Sequence, residues 1–163
     1  RGTTLRGLLE ARAVLEPIAA RLAAQRGDAT DLAMLHACHD RLAASAAPAH
    51  RQRERLEFHR LLAAATGNDV LELVLTALAW MGDALDRTGP EPGDGSDEAR
   101  GALVAAIGCG DAAGAAGHAA TLLAATTSRL RDGAARVLDQ RVLWPDVDEL
   151  PDIEDRKDVA TWT

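Results

Sequence analysis

Residues 4–28 read TLRGLLEARAVLEPIAARLAAQRGD. Leu5, Leu8, Leu9, Leu15, Ala19, Leu22 and Ala23 recur at i, i+3 and i+4, the spacing of a helix with one apolar face. That stripe predicts a helix over about 4–26. Gly27-Asp28 stops it, and Asp28 or Thr30 can cap the next helix. The same period runs outward along the chain. A second helix is expected over about 30–46, with Leu32, Leu35 and Leu42 inward. A loop holding Pro48 follows, then a third helix over about 51–66 carrying Leu56, Phe58, Leu62 and Ala65. Gly67-Asn68 is a stop and restart before a fourth helix over about 69–87.

The fourth helix is apolar on nearly all sides, with Val70, Leu73, Val74, Leu78, Trp80 and Leu85 spread around it. Such a helix is buried on more than one face, as a central helix or as an oligomer contact. Residues 88–96, TGPEPGDGS, have loop composition. A fifth helix, about 97–108, turns Leu103, Val104 and Ile107 inward, and the turn Gly108-Cys109-Gly110-Asp111 leads to a sixth over about 111–132. No strand pattern competes. The expected fold class is all-α, an antiparallel bundle of six to seven helices, because the connections are short enough for antiparallel neighbours.

Composition agrees. The chain has 163 residues, 47% of them hydrophobic, which is enough for one packed core. Aromatics are only 2%, so the core is built from Leu, Val and Ala, which suits helix on helix better than a sandwich. The formal charge of -7 and the scattered basic residues argue against a nucleic-acid surface on this segment. Cys38 and Cys109 form no CxxC and no disulfide framework, which fits reduced thiols and a cytoplasmic protein. No apolar run is long enough for a membrane span, and no signal peptide is visible. The chain opens on Arg1 almost directly into a helix, as an excised domain or a trimmed product would.

Three cations break the apolar stripes. Arg12 falls at the centre of the first helix's stripe, flanked by Leu8, Leu9, Leu15 and Ala19. Arg55 and His59, four apart on the third helix, share a face with Phe58 and Leu62. Arg100 heads the inward set of Leu103, Val104 and Ile107 on the fifth. An unpaired buried charge is costly, so something must compensate each of them. Each arginine can reach the bundle's edge or pair with a nearby acid such as Glu16, Glu57 or Glu72. Taken together, three inward cations from three helices point to one shared polar cavity, and guanidinium forks suit a carboxylate or phosphate.

Other chemistry is thin. His36, Cys38 and His39 cluster on the second helix, and two of them could share a metal, but no third ligand lies near in sequence. His50 and His118 read as surface residues. The glycines at 108, 110 and 114 mark a helix break rather than a dinucleotide loop, since no strand precedes them. No GxSxG, HExxH or Cys–His arrangement is present, and Glu57 faces away from the stripe of His59. No enzyme activity is expected.

Several strings, in order, resemble the C-terminal effector-binding (FCD-type) domain of FadR-subfamily GntR transcription regulators. Glu10-Ala-Arg12-Ala-Val-Leu15-Glu16-Pro17, followed by Ala20-Arg21-Leu22-Ala23-Ala24, is similar to the family's first-helix signature. Glu57-Phe58-His59-Arg60-Leu61-Leu62 with Thr66-Gly67-Asn68 resembles its "FH…L…GN" segment, and Ala105-Ala106-Ile107-Gly108-Cys109-Gly110-Asp111 its "AI..GD" turn. The likeness covers about residues 4–131. It implies an antiparallel bundle enclosing a ligand cavity, and an N-terminal winged helix-turn-helix that this chain lacks.

Many members hold a divalent metal in that cavity through an Asp and three His. Here the first pair reads Arg55-x-x-x-His59, the next position falls at Arg100 and the last at Leu122, with His118 one turn earlier. Two of the replacements are cations, which repel a metal ion. The expectation is therefore no metal and no cofactor. The resemblance also gives Arg12 a place in the family's ligand cavity.

The sequence thus leads to residues 1–133 as a helical ligand-sensing and dimerisation domain, and 134–163 as a short helix plus an acidic C-terminal tail. The expected ligand-binding residues are Arg12, Arg55, His59 and Arg100, for a small organic acid or a phosphorylated metabolite. The expected partners are a second copy in a homodimer and DNA only through the missing N-terminal domain. The alternative is a stand-alone helical interaction module that docks through the apolar fourth helix.

Overall fold

The computed structural model describes residues 4–86, 94–133 and 138–139. Six helices run in order: α1 (Leu5–Arg26), α2 (Ala29–Ala44), α3 (Pro48–Ala64), α4 (Asp69–Asp86), α5 (Asp94–Gly108) and α6 (Ala112–Gly133). Among the described residues there is no strand.

The helix ends follow from local chemistry. The Thr4 hydroxyl accepts from the Gly7 amide at the start of α1. Asp28 caps α2 by accepting from the amides of Thr30 and Asp31, while the Asp31 carboxylate accepts from the Asp28 amide. That reciprocal capping box settles the choice between Asp28 and Thr30. Asn68 caps α4 through the amides of Val70 and Leu71. The residue before it, Gly67, has φ 61, a left-handed conformation that ends α3 without a Cβ clash.

Two helix starts lie three residues ahead of expectation. Pro48 is the first residue of α3 rather than part of the preceding loop. A first-turn amide has no intrahelical partner, so proline loses nothing there, and its fixed φ suits a helix start. α5 begins at Asp94, three residues ahead of the expected 97, and takes the Gly95-Ser96 pair into its first turn. The rest of the expected 88–96 loop, and most of the short helix expected at 134–142 and the tail beyond it, lie outside the described residues.

α1 is the axis of the bundle. It packs on α3, α4, α5 and α6, while α2 sits outside it against α3 and α5. The main core gathers Ala20 and Ala23 of α1, Leu35 and Cys38 of α2, Phe58 and Leu62 of α3, Leu103 and Ile107 of α5, and Ala119 and Leu122 of α6. A second cluster joins Leu5, Leu8 and Leu9 to Met81, Leu123 and Leu138. The chain thus returns to the start of α1 just past α6, and Asp139 pairs with Arg6 at 3.1 Å. Among the described residues α4 packs chiefly on α3 and α1. It is not central, and Val70 and Leu73 are each 72% exposed on its outer face.

Candidate functional site

The four expected site residues converge. Arg12 of α1 is 8% exposed, and its Nε donates to Glu16 Oε1 at 2.5 Å, one turn along the same helix. Its Nη2 lies 3.1 Å from Nε2 of His59 on α3. A guanidinium has no acceptor, so Nε2 must accept and the imidazole proton sits on Nδ1. Nδ1 points toward Glu16 Oε1, 3.7 Å away. One carboxylate therefore faces both groups.

Room for this arrangement comes from α4. Gly82 is buried, and a Cβ there would come within 3.0 Å of Arg12 Nη1 and 3.2 Å of Leu8 Cδ2. A glycine at this helix position costs about 1 kcal/mol against alanine. It leaves space for a guanidinium between α1 and α4.

Arg100 of α5 enters the same interior, 4% exposed. Its guanidinium carbon lies 5.5 Å from the centre of the Phe58 ring, within cation–π range. Phe58 in turn meets His59 edge to face, with ring centres 6.2 Å apart. Arg100 Nη1 donates to Asp97 Oδ1 at 2.7 Å, and the other oxygen of Asp97 accepts from Arg51 Nη2 at 2.7 Å. Arg55, half-buried on α3 with Nη1 screened from solvent, completes the set.

The electrostatics record the convergence. Burial pushes the His59 imidazole down to about 4, and Arg12, Arg100 and Arg55 push the same way, against the opposing pull of Glu16. At neutral pH His59 is uncharged, and the fixed cations around it are guanidinium groups. Burial by itself would raise the Glu16 carboxyl, but Arg12 beside it holds it below the ordinary glutamate range. Asp97 is likewise held low against burial by Arg51 and Arg100.

The pairing of Arg12 with Glu16 was one of the options open from sequence, since the two are four apart on one helix. Asp97 was missed. It lies three residues before Arg100, which is the same kind of helical spacing, but the composition of residues 88–96 had placed it at the very edge of a loop. Gly82 was missed as well, because nothing in a sequence shows which glycine faces a distant guanidinium.

The other positions weighed for a metal lie elsewhere. Leu122 is buried in the main core, and His118 is half-buried on α6. His39 is half-buried against α5, where a Cβ on Gly101 would lie 3.2 Å from its Nε2. Cys38 is fully buried, its Sγ donates to the Glu54 carbonyl at 3.3 Å, and burial with Glu54 nearby pushes the thiol up to about 12. Cys109, in the turn between α5 and α6, is exposed. Among the described residues no three His, Cys, Asp or Glu side chains come close enough to share a metal ion. The family's metal does not fit this donor set: His59 has given its one free lone pair to Arg12, and Arg55 and Arg100 are cations. A groove of about 350 Å³ between α3 and α4 is lined by Arg53, Glu57, Arg60, Thr76 and Trp80, but Arg60 is already held by Glu57 through two contacts of 2.7 and 2.8 Å. No helix among the described residues is long and apolar enough to cross a membrane.

A comparison with curated proteins finds no match. Among solved structures, a GntR protein of Streptococcus agalactiae is similar, with a TM-score of 0.67 and 22% identity over 76% of this chain. At that identity the likeness speaks for the fold, and this chain spans 58% of that protein's length. The model of the FCD domain matches residues 7–138, which is most of the chain and all six helices. With that match the chain belongs to the FCD-domain family, whose helical fold the GntR protein shares, and it is a regulatory, effector-binding domain rather than an enzyme.

Proposed function

We propose that this domain senses a small anionic metabolite, a carboxylate or phosphorylated compound, held by Arg12, Arg55 and Arg100 with His59 among them. The observation that carries the proposal is the convergence of three guanidinium groups from three helices on one neutral imidazole. Guanidinium forks match carboxylate and phosphate oxygens in geometry as well as charge. Where relatives use a metal cation to receive an anion, this chain offers fixed positive charge. The effector would bias the bundle between two packings and so reposition DNA-reading modules joined to its N-terminal side.

The domain also serves as a dimerisation module. Val14 and Ile18 of α1 and Val70, Leu73 and Val74 of α4 are all exposed, on two helices that pack together. Exposed apolar side chains at this density are best covered by a second copy, and two-fold pairs are the commonest assemblies.

The test is a thermal-shift screen of organic acids and phosphorylated compounds, with and without divalent metals, because a ligand that binds the folded state raises its apparent stability. An anion that stabilises without metal, and loses its effect in Arg100→Ala, supports the proposal. Stabilisation only in the presence of zinc, nickel or manganese would refute it.

A further inference from the structure

The Arg100 guanidinium already has an anion in place. Asp97 Oδ1 takes Arg100 Nη1 at 2.7 Å, and Asp97 Oδ2 takes Arg51 Nη2 at 2.7 Å. Arg51 sits on α3, and its Nη1 donates to the Leu42 carbonyl at 2.8 Å, at the C-terminal end of α2. The Asp97 carboxylate therefore bridges α5 to α3, and through Arg51 reaches the end of α2. Within the Asp97–Arg100 pair the two side chains differ in access. Arg100's side chain is 5% exposed and backed by the Phe58 ring, whereas that of Asp97 is 24% exposed. Asp97 also has a second cation to keep if it lets the first one go.

We propose that Asp97 is a tethered competitor for the effector: the ligand's carboxylate or phosphate takes the place of Asp97 Oδ1 on Arg100, and Asp97 withdraws to Arg51. The inference rests on the anion-sensing reading above. An exchange of one oxyanion for another conserves the charge-assisted hydrogen bonds of the buried cation, so Arg100 is never left unpaired. It also sets what the site accepts. A neutral ligand cannot release Arg100, because it would trade a charge-assisted contact for a weaker one. An anion must outcompete a carboxylate held one helical turn away, whose effective concentration is high. Asp97 thus fixes both the affinity threshold and the charge class of the ligand. Its release would loosen the bridge between α5 and α3 when the ligand arrives.

The experiment is isothermal titration of the 163-residue chain with inorganic phosphate, and separately with malonate, in the wild type, Asp97→Asn and Arg100→Ala. Asp97→Asn keeps the shape and one acceptor oxygen but gives up the charge. The expected result is that it binds at least one of the two anions about tenfold more tightly than the wild type, while Arg100→Ala loses that binding. If the wild type binds, Arg100→Ala abolishes binding, and Asp97→Asn binds equally well or more weakly, the competitor role is overturned and anion sensing survives. If neither anion binds the wild type or Asp97→Asn, anion sensing falls and the competitor role with it. Carboxyl carbon NMR of the wild type keeps the test open should the variant fail to fold. Asp97 titrates low while Arg51 and Arg100 both hold it, and saturating anion should move it upward. A titration unmoved at saturation would equally overturn the competitor role.

Discussion

His59 makes the stability of this domain sensitive to mild acid. In the folded protein the imidazole is pushed down to about 4, first by burial and then by Arg12, Arg100 and Arg55, against an ordinary value of 6.5 in the unfolded chain. Between these two values the unfolded chain binds the proton and the folded protein does not. Stability from this residue is therefore complete above pH 6.5 and is lost as pH falls toward 4. The difference corresponds to about 3 kcal/mol, since each pH unit is worth roughly 1.4 kcal/mol. For a domain of this size that is a drop in melting temperature of about 6–12 °C. His59→Gln removes the titrating group and leaves a side-chain oxygen able to accept from Arg12. Urea unfolding at a series of pH values between 7 and 4 should show the wild type losing about 3 kcal/mol more than the variant. Glu16 and Asp97, both held low, add acid lability mainly below the carboxylate range, and they do so in both proteins. Parallel pH profiles for the two proteins, or an NMR titration of His59 near its ordinary value, would refute the account of a half-buried imidazole ringed by arginines.

Gly82→Ala should gain helix propensity of about 1 kcal/mol but press on Arg12 Nη1 and Leu8. Unfolding free energy should change little while affinity for the effector or phosphate drops severalfold by titration calorimetry. Phe58→Ala removes a fully buried ring and the support beneath Arg100, and should cost about 3–5 kcal/mol in urea unfolding. The paired change Val70→Asp and Leu73→Asp should leave the helical spectrum intact and turn a dimer into a monomer in sedimentation velocity, because both side chains are exposed.

The helices were legible because their apolar positions repeat at a single period and their ends carry Gly67, Asn68, Asp28 and Gly110. The inward arginines were legible for the same reason: a charge inside an apolar stripe stands out in one dimension. What the stripes could not show is which charges face one another across helices. The Arg12–Glu16 pair lies within one helix and was open to inspection, yet its meeting with His59 spans 47 positions. The Asp97–Arg51 contact spans 46. α4 illustrates the other limit. Apolar residues around a helix imply burial on several faces, but whether the covering surface belongs to the same chain or to another is a matter of tertiary packing. In this bundle α1 takes the central position, although its stripe is narrower and interrupted by Arg12 and Glu16.

The two cysteines differ in a way that is useful at the bench. A thiol must ionise to react with a maleimide, and Cys38, with its proton held toward Glu54 and its ionisation pushed up to about 12, stays silent at neutral pH. Cys109 is exposed, in the turn just past the far end of the helix that carries Asp97 and Arg100. The unmodified protein therefore comes with a single addressable position for an environment-sensitive fluorophore. A dye attached there would follow α5 in real time as candidate effectors are added, without any substitution in the binding cluster.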